Sequence, residues 1–432
     1  MLKYLGILIV GILTSFYFFP FEFAILPGFN TKMFMAVIGL VIGGWKKLQS
    51  GVINVDRTFI ILSIYAIIVS LICLFSITYN GTPDMAYTSY IVSMWVWLSG
   101  AYALCYIMKS FHCALSINIV TNYLVAVCVV QCLMAILIDT VPEIQRVVDQ
   151  CIYMDQEFMK RTNRLYSLGA CLDTAGVRFS LVLVLLMNLM LNIQNTIYKK
   201  YLWLYVISYI MIIIIGNMMA RTTIVGGIIS LFYLILESGI CKFALNSKVR
   251  ELWLWIVIIV GITLCYIINK YNTDSNFYND IRFAFEGFFS LYEKGEWQVG
   301  SNTQLSNMIV FPDNIKTWII GDGYFNNPIN VDLNYIGEIT GGYYKNTDIG
   351  YLRFIFYSGI IGLVAFGAFI CKAAQLAIER FRGYKTMIFL LLLIHFLIWL
   401  KVSTDCFLIF ALLLCIPKEN KDECHRIVAF KA

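Results

Sequence analysis

The sequence predicts an all-α polytopic membrane protein of about 12 transmembrane helices. Three observations predict it. The chain is 60% hydrophobic and only 13% charged, with a mean hydropathy of +0.77. Its apolar runs are span-length or nearly so, with Lys and Arg gathered at their ends. The polar residues concentrate in two islands, 139–178 and 270–348, instead of coating every segment. Soluble domains carry about 25% charged residues, and a soluble core of this size would lack a charged shell. Lipid covering most of the surface removes the need for one. The net charge of +6 is spent at helix ends, which orients helices and excludes a nucleic-acid surface.

Taken in order, Met1-Leu2-Lys3 opens an apolar run to about Phe19. No small-x-small cleavage site follows it, so it reads as a retained helix. Pro20 and Pro27 bracket a tight turn, and the next run, 33–45, is short for a bilayer unless it begins near Pro27. Further runs fall at 58–79, 88–108, 115–138, 178–197, 201–219, 222–240, 252–269, 350–371, 385–401 and 404–417. One set of short loops holds Lys46, Lys47 and Arg57, then Lys109, Lys199 and Lys200, Lys242, Lys248 and Arg250, Lys372, Arg380, Arg382 and Lys385. The turn from Asn80 to Tyr87 holds neither Lys nor Arg. By the positive-inside bias both termini face the cytoplasm and both polar islands face out. The division expected is 1–269 with nine helices and the external loop 139–178, a large external loop 270–349, and 350–432 with three helices and a cytoplasmic tail.

The 13 cysteines lie mostly inside apolar runs and form no disulfide framework. Cys151 and Cys171 alone lie in an external island, and the spacing leaves open whether they pair. There is no CxxC pair, and no cofactor or metal is expected. A P-loop and a GxGxxG turn are also missing, and the cytoplasmic loops are short, which excludes a nucleotide-driven enzyme.

Five arginines lie in the islands or at outer helix ends: Arg164, Arg178, Arg221, Arg282 and Arg353. Outward arginines run against the positive-inside bias, and a guanidinium grips phosphate oxygens in a bidentate fork. As a set converging on one outer pocket they suit a lipid-linked pyrophosphate. The bland alternatives are snorkelling anchors, or a surface pair such as Arg282 with Glu286 one turn along an amphipathic helix running through Phe277, Ile281, Phe285, Phe288 and Tyr292. Of the three histidines, His112 and His425 are read as cytoplasmic and His395 as a hydrogen-bonded core residue, so a base on the outer face must be a carboxylate. The chief candidate is Asp348, where loop becomes helix; its structural alternative is a helix cap. Asn302, Trp318, Tyr324 and Tyr351 are candidate substrate contacts, since aromatic rings stack on sugar faces as well as favouring the membrane interface.

The motifs from Arg282 to Gly362 carry a resemblance. Trp318-Ile-Ile-Gly321-Asp322-Gly323 looks like a Gly-x-Gly element before a catalytic segment. Asp348-Ile-Gly-Tyr-Leu352 followed by Gly359-Ile-Ile-Gly362 is similar in spacing to His-Asn-x-x-Leu followed by Gly-x-x-Gly, and Ala220-Arg221-Thr222-Thr223 to a Ser-Arg-Thr element. With the large late loop, these make the chain resemble the bacterial O-antigen polymerase and ligase superfamily. The resemblance implies a glycosyltransferase-C-like fold in the bacterial inner membrane, with a periplasmic site. It implies a polymerase that moves a glycan from undecaprenyl pyrophosphate to a sugar hydroxyl of a new lipid-linked repeat unit, with inversion and without a metal. Arg282, Arg353 and Asp348 would be catalytic, and Arg164, Arg178 and Arg221 would bind the pyrophosphates. A chain-length regulator and a flippase would be partners. Ligases place His where this chain has Asp348, which favours a polymerase over a ligase. The remaining rival, a transporter of the same lipid, would place charge at the bilayer midplane, where this chain has almost none.

Overall fold

The computed structural model describes residues 2–50, 56–112, 114–154, 164–192, 197–238, 247–328, 335, 339 and 341–417. Among these, regular structure is helical and β-pairing is limited to isolated bridges. The helices are α1 (Leu2–Phe18), α2 (Thr31–Ser50), α3 (Arg57–Asn80), α4 (Tyr90–Phe111), α5 (Ile117–Thr140), α6 (Pro142–Cys151), α7 (Leu172–Asn192), α8 (Leu202–Met219), α9 (Thr223–Ser238) and α10 (Ser247–Thr273). There follow α11 (Ser275–Ala284), α12 (Glu286–Lys294), α13 (Gly300–Asn307), α14 (Ile315–Ile319), α15 (Gly350–Arg380), α16 (Lys385–Ile398) and α17 (Phe407–Cys415). Each expected apolar run coincides with a helix.

Among the described residues seven helices are long and apolar enough to cross a membrane: α3, α4, α5, α7, α8 with its preceding turn, α10 and α15. The protein is a polytopic helical membrane protein. α1 and α9 are apolar but shorter. The nine described residues of α17 rise only roughly 14 Å, about half the hydrocarbon core. The single amphipathic helix expected through Phe277–Tyr292 is two helices, because Phe285 leaves the helical region (φ −118°, ψ 27°) between α11 and α12.

The chain forms two compact units. The first holds residues 1–39, 100–297 and 415–432. Its centre is α7, 83% of whose apolar span is buried, as expected for a helix hydrophobic all round. α7 crosses α9 at Ser180 and Gly226, where a Cβ on Gly226 would overlap the Ser180 backbone. The Ser180 hydroxyl accepts from Gly226 N at 3.2 Å and donates to Thr222 O at 2.9 Å. Small residues let the two backbones approach, and the hydroxyl accepts from an N–H near the start of α9, where helix donors are left open.

The second unit holds residues 40–99 and 298–414, so the boundary at 297 falls within the segment read as one loop. Its central helix, α15, is broken at Gly359 (φ 68°, ψ −176°). A break frees carbonyls one turn earlier. Here Phe356 O accepts from Asp322 N at 2.6 Å, and Tyr357 O accepts from Gly323 N at 3.2 Å and from the Ser76 hydroxyl at 2.7 Å. The Gly321-Asp322-Gly323 turn, with positive φ at both glycines, is therefore the partner of the break. α3 ends on Gly81 in the left-handed conformation, which starts the turn leading to Asp84.

Candidate functional site

In the first unit, two of the expected arginines meet on one phenyl ring. The Arg221 guanidinium carbon lies 4.0 Å from the Phe283 ring centroid and that of Arg164 lies 5.1 Å from it. The local sequence explains the arrangement. α11 stops at Ala284, leaving its last carbonyls open. Phe283 O accepts from Arg221 Nε at 3.0 Å and Ala284 O from Asn217 Nδ2 at 2.5 Å. A cation at a helix C-terminus is also favoured by the helix dipole. Arg221 Nη2 lies 2.5 Å from Glu286 Oε2, the first residue of α12. Arg164 has no carboxylate in reach among the described residues, and its buried Nε has no hydrogen-bond acceptor. Burial pulls the Arg221 guanidinium below its usual range; Glu286 works against this and the like charge of Arg164 adds to it. Two like charges thus share one ring, with one carboxylate beside Arg221.

The turn that carries Arg221 is itself fixed. The Thr222 hydroxyl donates to the Asp173 carboxylate, Thr223 Oγ1 donates to Gly216 O at 3.0 Å, and Gly176 lies tight against Ala220 and Thr222. Replacing Thr222 by Val keeps the volume and removes the donor to Asp173. It is expected to lower the thermal midpoint by the equivalent of about 1–2 kcal/mol, the cost of a lost bond to a charged acceptor. Unfolding in detergent checks this, and an unchanged midpoint would show that the turn is held without Asp173.

The other arginines of this unit stand elsewhere. Arg282 does not pair with Glu286. Its two terminal nitrogens meet both oxygens of Glu293 at 2.6 and 2.7 Å, and Phe289 and Tyr278 lie under it. A closed bidentate pair is already satisfied. Arg178 lies over the Phe19 ring at 5.6 Å. Arg161 lies outside the described residues. Cys151 and Cys171 are both free thiols.

On α11, burial pushes the Asp280 carboxyl up to about 6, with Asp139 and Asp274 adding to the rise. A carboxylate whose folded pKa lies above its unfolded 3.8 penalises the fold once ionised. Stability is thus lost as pH rises through about 6 and regained between about 6 and 4. Asp280→Asn is expected to raise the unfolding midpoint at pH 7.5 by the equivalent of about 1 kcal/mol, after discounting for solvent at a half-buried group, and to change nothing at pH 4. Equal midpoints at both pH values would refute the assignment.

The second unit holds Arg353, on the first turn of α15. Its side chain is 8% exposed, and a charge at that depth needs partners. Nη1 donates to Ser403 Oγ at 3.2 Å; Nη2 donates to Phe325 O at 3.3 Å and to Asn326 Oδ1 at 2.8 Å. The guanidinium lies 3.7 Å from the Phe325 ring centroid and 4.5 Å from that of Tyr343. Asp348 Oδ1 is 3.6 Å from Nη1. The cap position of α15 is Ile349, so Asp348 faces Arg353 instead of capping the helix in the usual way. Two residues unflagged by the sequence hold this cluster. Asp84 Oδ2 accepts from the backbone N–H of Phe325 at 2.7 Å and of Asn326 at 3.2 Å. Tyr87 lies edge-on to Phe325, Phe366 and Tyr357, and burial pushes its phenol up while Arg353 pulls it down. Asp84 was legible only as the one acid in a turn noted for lacking bases.

The proposed aromatic contacts have structural partners. Trp318 Nε1 donates to Pro312 O at 3.0 Å and its ring stacks on Phe311. Tyr324 is 5% exposed and stacked on Tyr344 in a core with Ile349, Leu352 and Phe356, which covers its ring. The Tyr351 hydroxyl donates to Phe396 O at 2.9 Å. Asn302 lies in α13, but its side chain is outside the described residues. His395 is fully buried against Trp399, and neither ring nitrogen has a hydrogen-bond partner among the described residues, contrary to the expected bonded core histidine. The helix around it is uniformly Leu, Ile and Phe, which offers no acceptor.

Compared with protein-family models, with curated proteins and with solved structures, the chain matches none.

Proposed function

We propose that this membrane protein polymerises lipid-linked oligosaccharide repeat units, moving a glycan from a polyprenyl pyrophosphate to a sugar hydroxyl of a lipid-linked acceptor. The observation that carries the reading is the Arg164–Arg221 pair on Phe283, where one carboxylate, Glu286, lies beside Arg221. A pyrophosphate presents the charge and the fork geometry that such a pair accepts. The acceptor oxygen bonds to the anomeric carbon from the face opposite the departing group, and the pyrophosphate leaves with the bonding electrons. That leaving group is already a stabilised anion, so fixed positive charge lowers the barrier without a general acid. Asp348, whose Oδ1 lies 3.6 Å from Arg353 Nη1, is the proposed proton acceptor for the hydroxyl. O-antigen, capsule and related polymers are the products this chemistry serves, at the periplasmic face of a bacterial inner membrane.

One observation favours the transporter rival: α15 is a broken helix, and transporters use such breaks to coordinate cargo. The carbonyls freed at Gly359 are, however, already taken by Asp322, Gly323 and Ser76. The enzymatic reading therefore stands ahead.

The test is reconstitution in liposomes with undecaprenyl-pyrophosphate-linked repeat units. Polymer on undecaprenyl pyrophosphate is expected; glycan moved only to a lipid core would make the protein a ligase, and consumption of neither lipid would end the reading. Asp348→Asn is expected to slow polymer formation by about 10²-fold, the usual range for a lost general base. Full activity of that variant would remove Asp348 from the chemistry.

A further inference from the structure

We propose that Tyr343, Asn326 and Asp348 form a subsite for one uncharged pyranose of the lipid-linked acceptor, with Arg353 behind them as the positioning residue. The inference rests on reading Asp348 as the proton acceptor for a sugar hydroxyl. All four residues belong to the second unit. Two stretches of chain build the opening. Asn326 and Tyr343 pair in an antiparallel bridge, and Asn327 N donates to Gly342 O at 2.9 Å. The chain then coils tightly. Lys345 and Asn346 both have φ 54°, and such left-handed residues persist only where their surroundings hold them. Asn346 N donates to Tyr343 O at 2.9 Å and Thr347 N to Tyr344 O at 3.2 Å. The coil therefore returns Asp348 to the guanidinium that Tyr343 already covers.

Arg353 arranges the three groups. Asn326 Oδ1 accepts from Nη2 at 2.8 Å. Reversing the amide would set donor against donor, so its Nδ2 hydrogens are directed elsewhere, on an exposed residue. Tyr343 is 40% exposed, with its ring centroid 4.5 Å from the guanidinium. Asp348 Oδ1 stands 3.6 Å from Nη1, beyond hydrogen-bond reach, and its side chain is 18% exposed. A carboxylate has about four acceptor positions, so Asp348 is oriented by Arg353 and still accepts from a hydroxyl. A flat ring, an amide donor and a carboxylate acceptor around one opening match a pyranose, whose C–H face is apolar and whose rim hydroxyls both give and take hydrogen bonds. An anion fits poorly. The Arg353 side chain is 8% exposed, both terminal nitrogens already donate within the protein, and two carboxylates, Asp348 and Asp84, bear on the one guanidinium. Arg353 thus shapes the opening instead of gripping a phosphate.

The experiment measures polymer formation in liposomes at saturating lipid-linked donor, with the lipid-linked acceptor repeat unit varied. It compares wild type with Tyr343→Leu, Tyr343→Phe and Asn326→Asp. Tyr343→Leu keeps apolar bulk and removes the flat ring; Tyr343→Met stands in should the leucine variant fail to fold. Asn326→Asp keeps the acceptor for Arg353 and removes the outward donor. Tyr343→Leu and Asn326→Asp are each expected to raise the acceptor KM by roughly three- to tenfold, the scale of one lost ring or hydrogen-bond contact, with kcat unchanged. Tyr343→Phe should match wild type. An unchanged KM in either Tyr343→Leu or Asn326→Asp would overturn the subsite while polymer formation left the proposed activity standing. A fall in kcat with KM unchanged would make these residues supports of Asp348 and overturn it equally, as would a Tyr343→Phe variant as impaired as Tyr343→Leu. Wild-type protein that consumes neither lipid would overturn the proposed activity and the inference with it.

Discussion

Gly359→Ala is expected to destabilise the protein by about 3–5 kcal/mol and to leave little of it folded in detergent. Two costs add. Gly359 has φ 68° and ψ −176°, a conformation essentially reserved for glycine, which costs an L-residue roughly 1–3 kcal/mol. A Cβ would also overlap the Ile319 carbonyl, and relieving such a clash costs about 1–3 kcal/mol more. The chain cannot respond by straightening α15, because Phe356 O and Tyr357 O are tied to the Gly321-Asp322-Gly323 turn. Gly261→Ala, in α10 with open space around it, is the control and should hold or raise the midpoint. Thermal unfolding in nanodiscs checks both, and a Gly359→Ala midpoint equal to that of wild type would show that the break is not needed.

The second large effect concerns the arginine pair. Arg164→Ala with Arg221→Ala is expected to cut polymer formation from lipid-linked repeat units by at least about 10²–10³-fold, the scale seen when a fixed charge or donor at a developing anion is removed. The two single variants should fall short of additivity, since both guanidiniums bear on one ligand. Arg221→Lys should not rescue, because an ammonium cannot hold Phe283 O and present a planar fork together. Arg282→Ala is expected to change the rate only a few-fold: its terminal nitrogens are spent on Glu293 in an exposed pair. Equal losses from Arg282→Ala and the double variant would show that the wrong arginines have been chosen.

Composition and periodicity made the helices legible, because an apolar run in lipid has little choice but to be helical. The short loops and the island helices were less so. Phe277–Tyr292 reads as one amphipathic stripe, and nothing in the spacing announces that Phe285 breaks it. The arginines expected to face outward stood out because that placement defies the charge bias, but their partners did not. Glu286 lies four residues from Arg282 and reads as its helical partner, whereas the break at Phe285 turns Glu286 toward Arg221 and gives Arg282 to Glu293. Phe283, the platform for Arg164 and Arg221, carries no signal in a chain with 31 phenylalanines. The Gly321-Asp322-Gly323 motif was visible as a turn, but its service to a helix break at Gly359 depends on a contact no local pattern encodes.

The turn after α3 has a consequence for how the chain is assembled. Asp84 binds the backbone of Phe325 and Asn326, Thr82 donates to Gly323 O, and Ser76 donates to Tyr357 O, spanning 241 to 281 residues. The turn after α3 is translated long before its counterpart, so its carboxylate meets these backbone partners only once a further 241 residues have been made. Residues 321–326 then acquire their shape by settling onto a surface already laid down, and damage at Asp84 would be felt as late misassembly, with the first helices inserted normally.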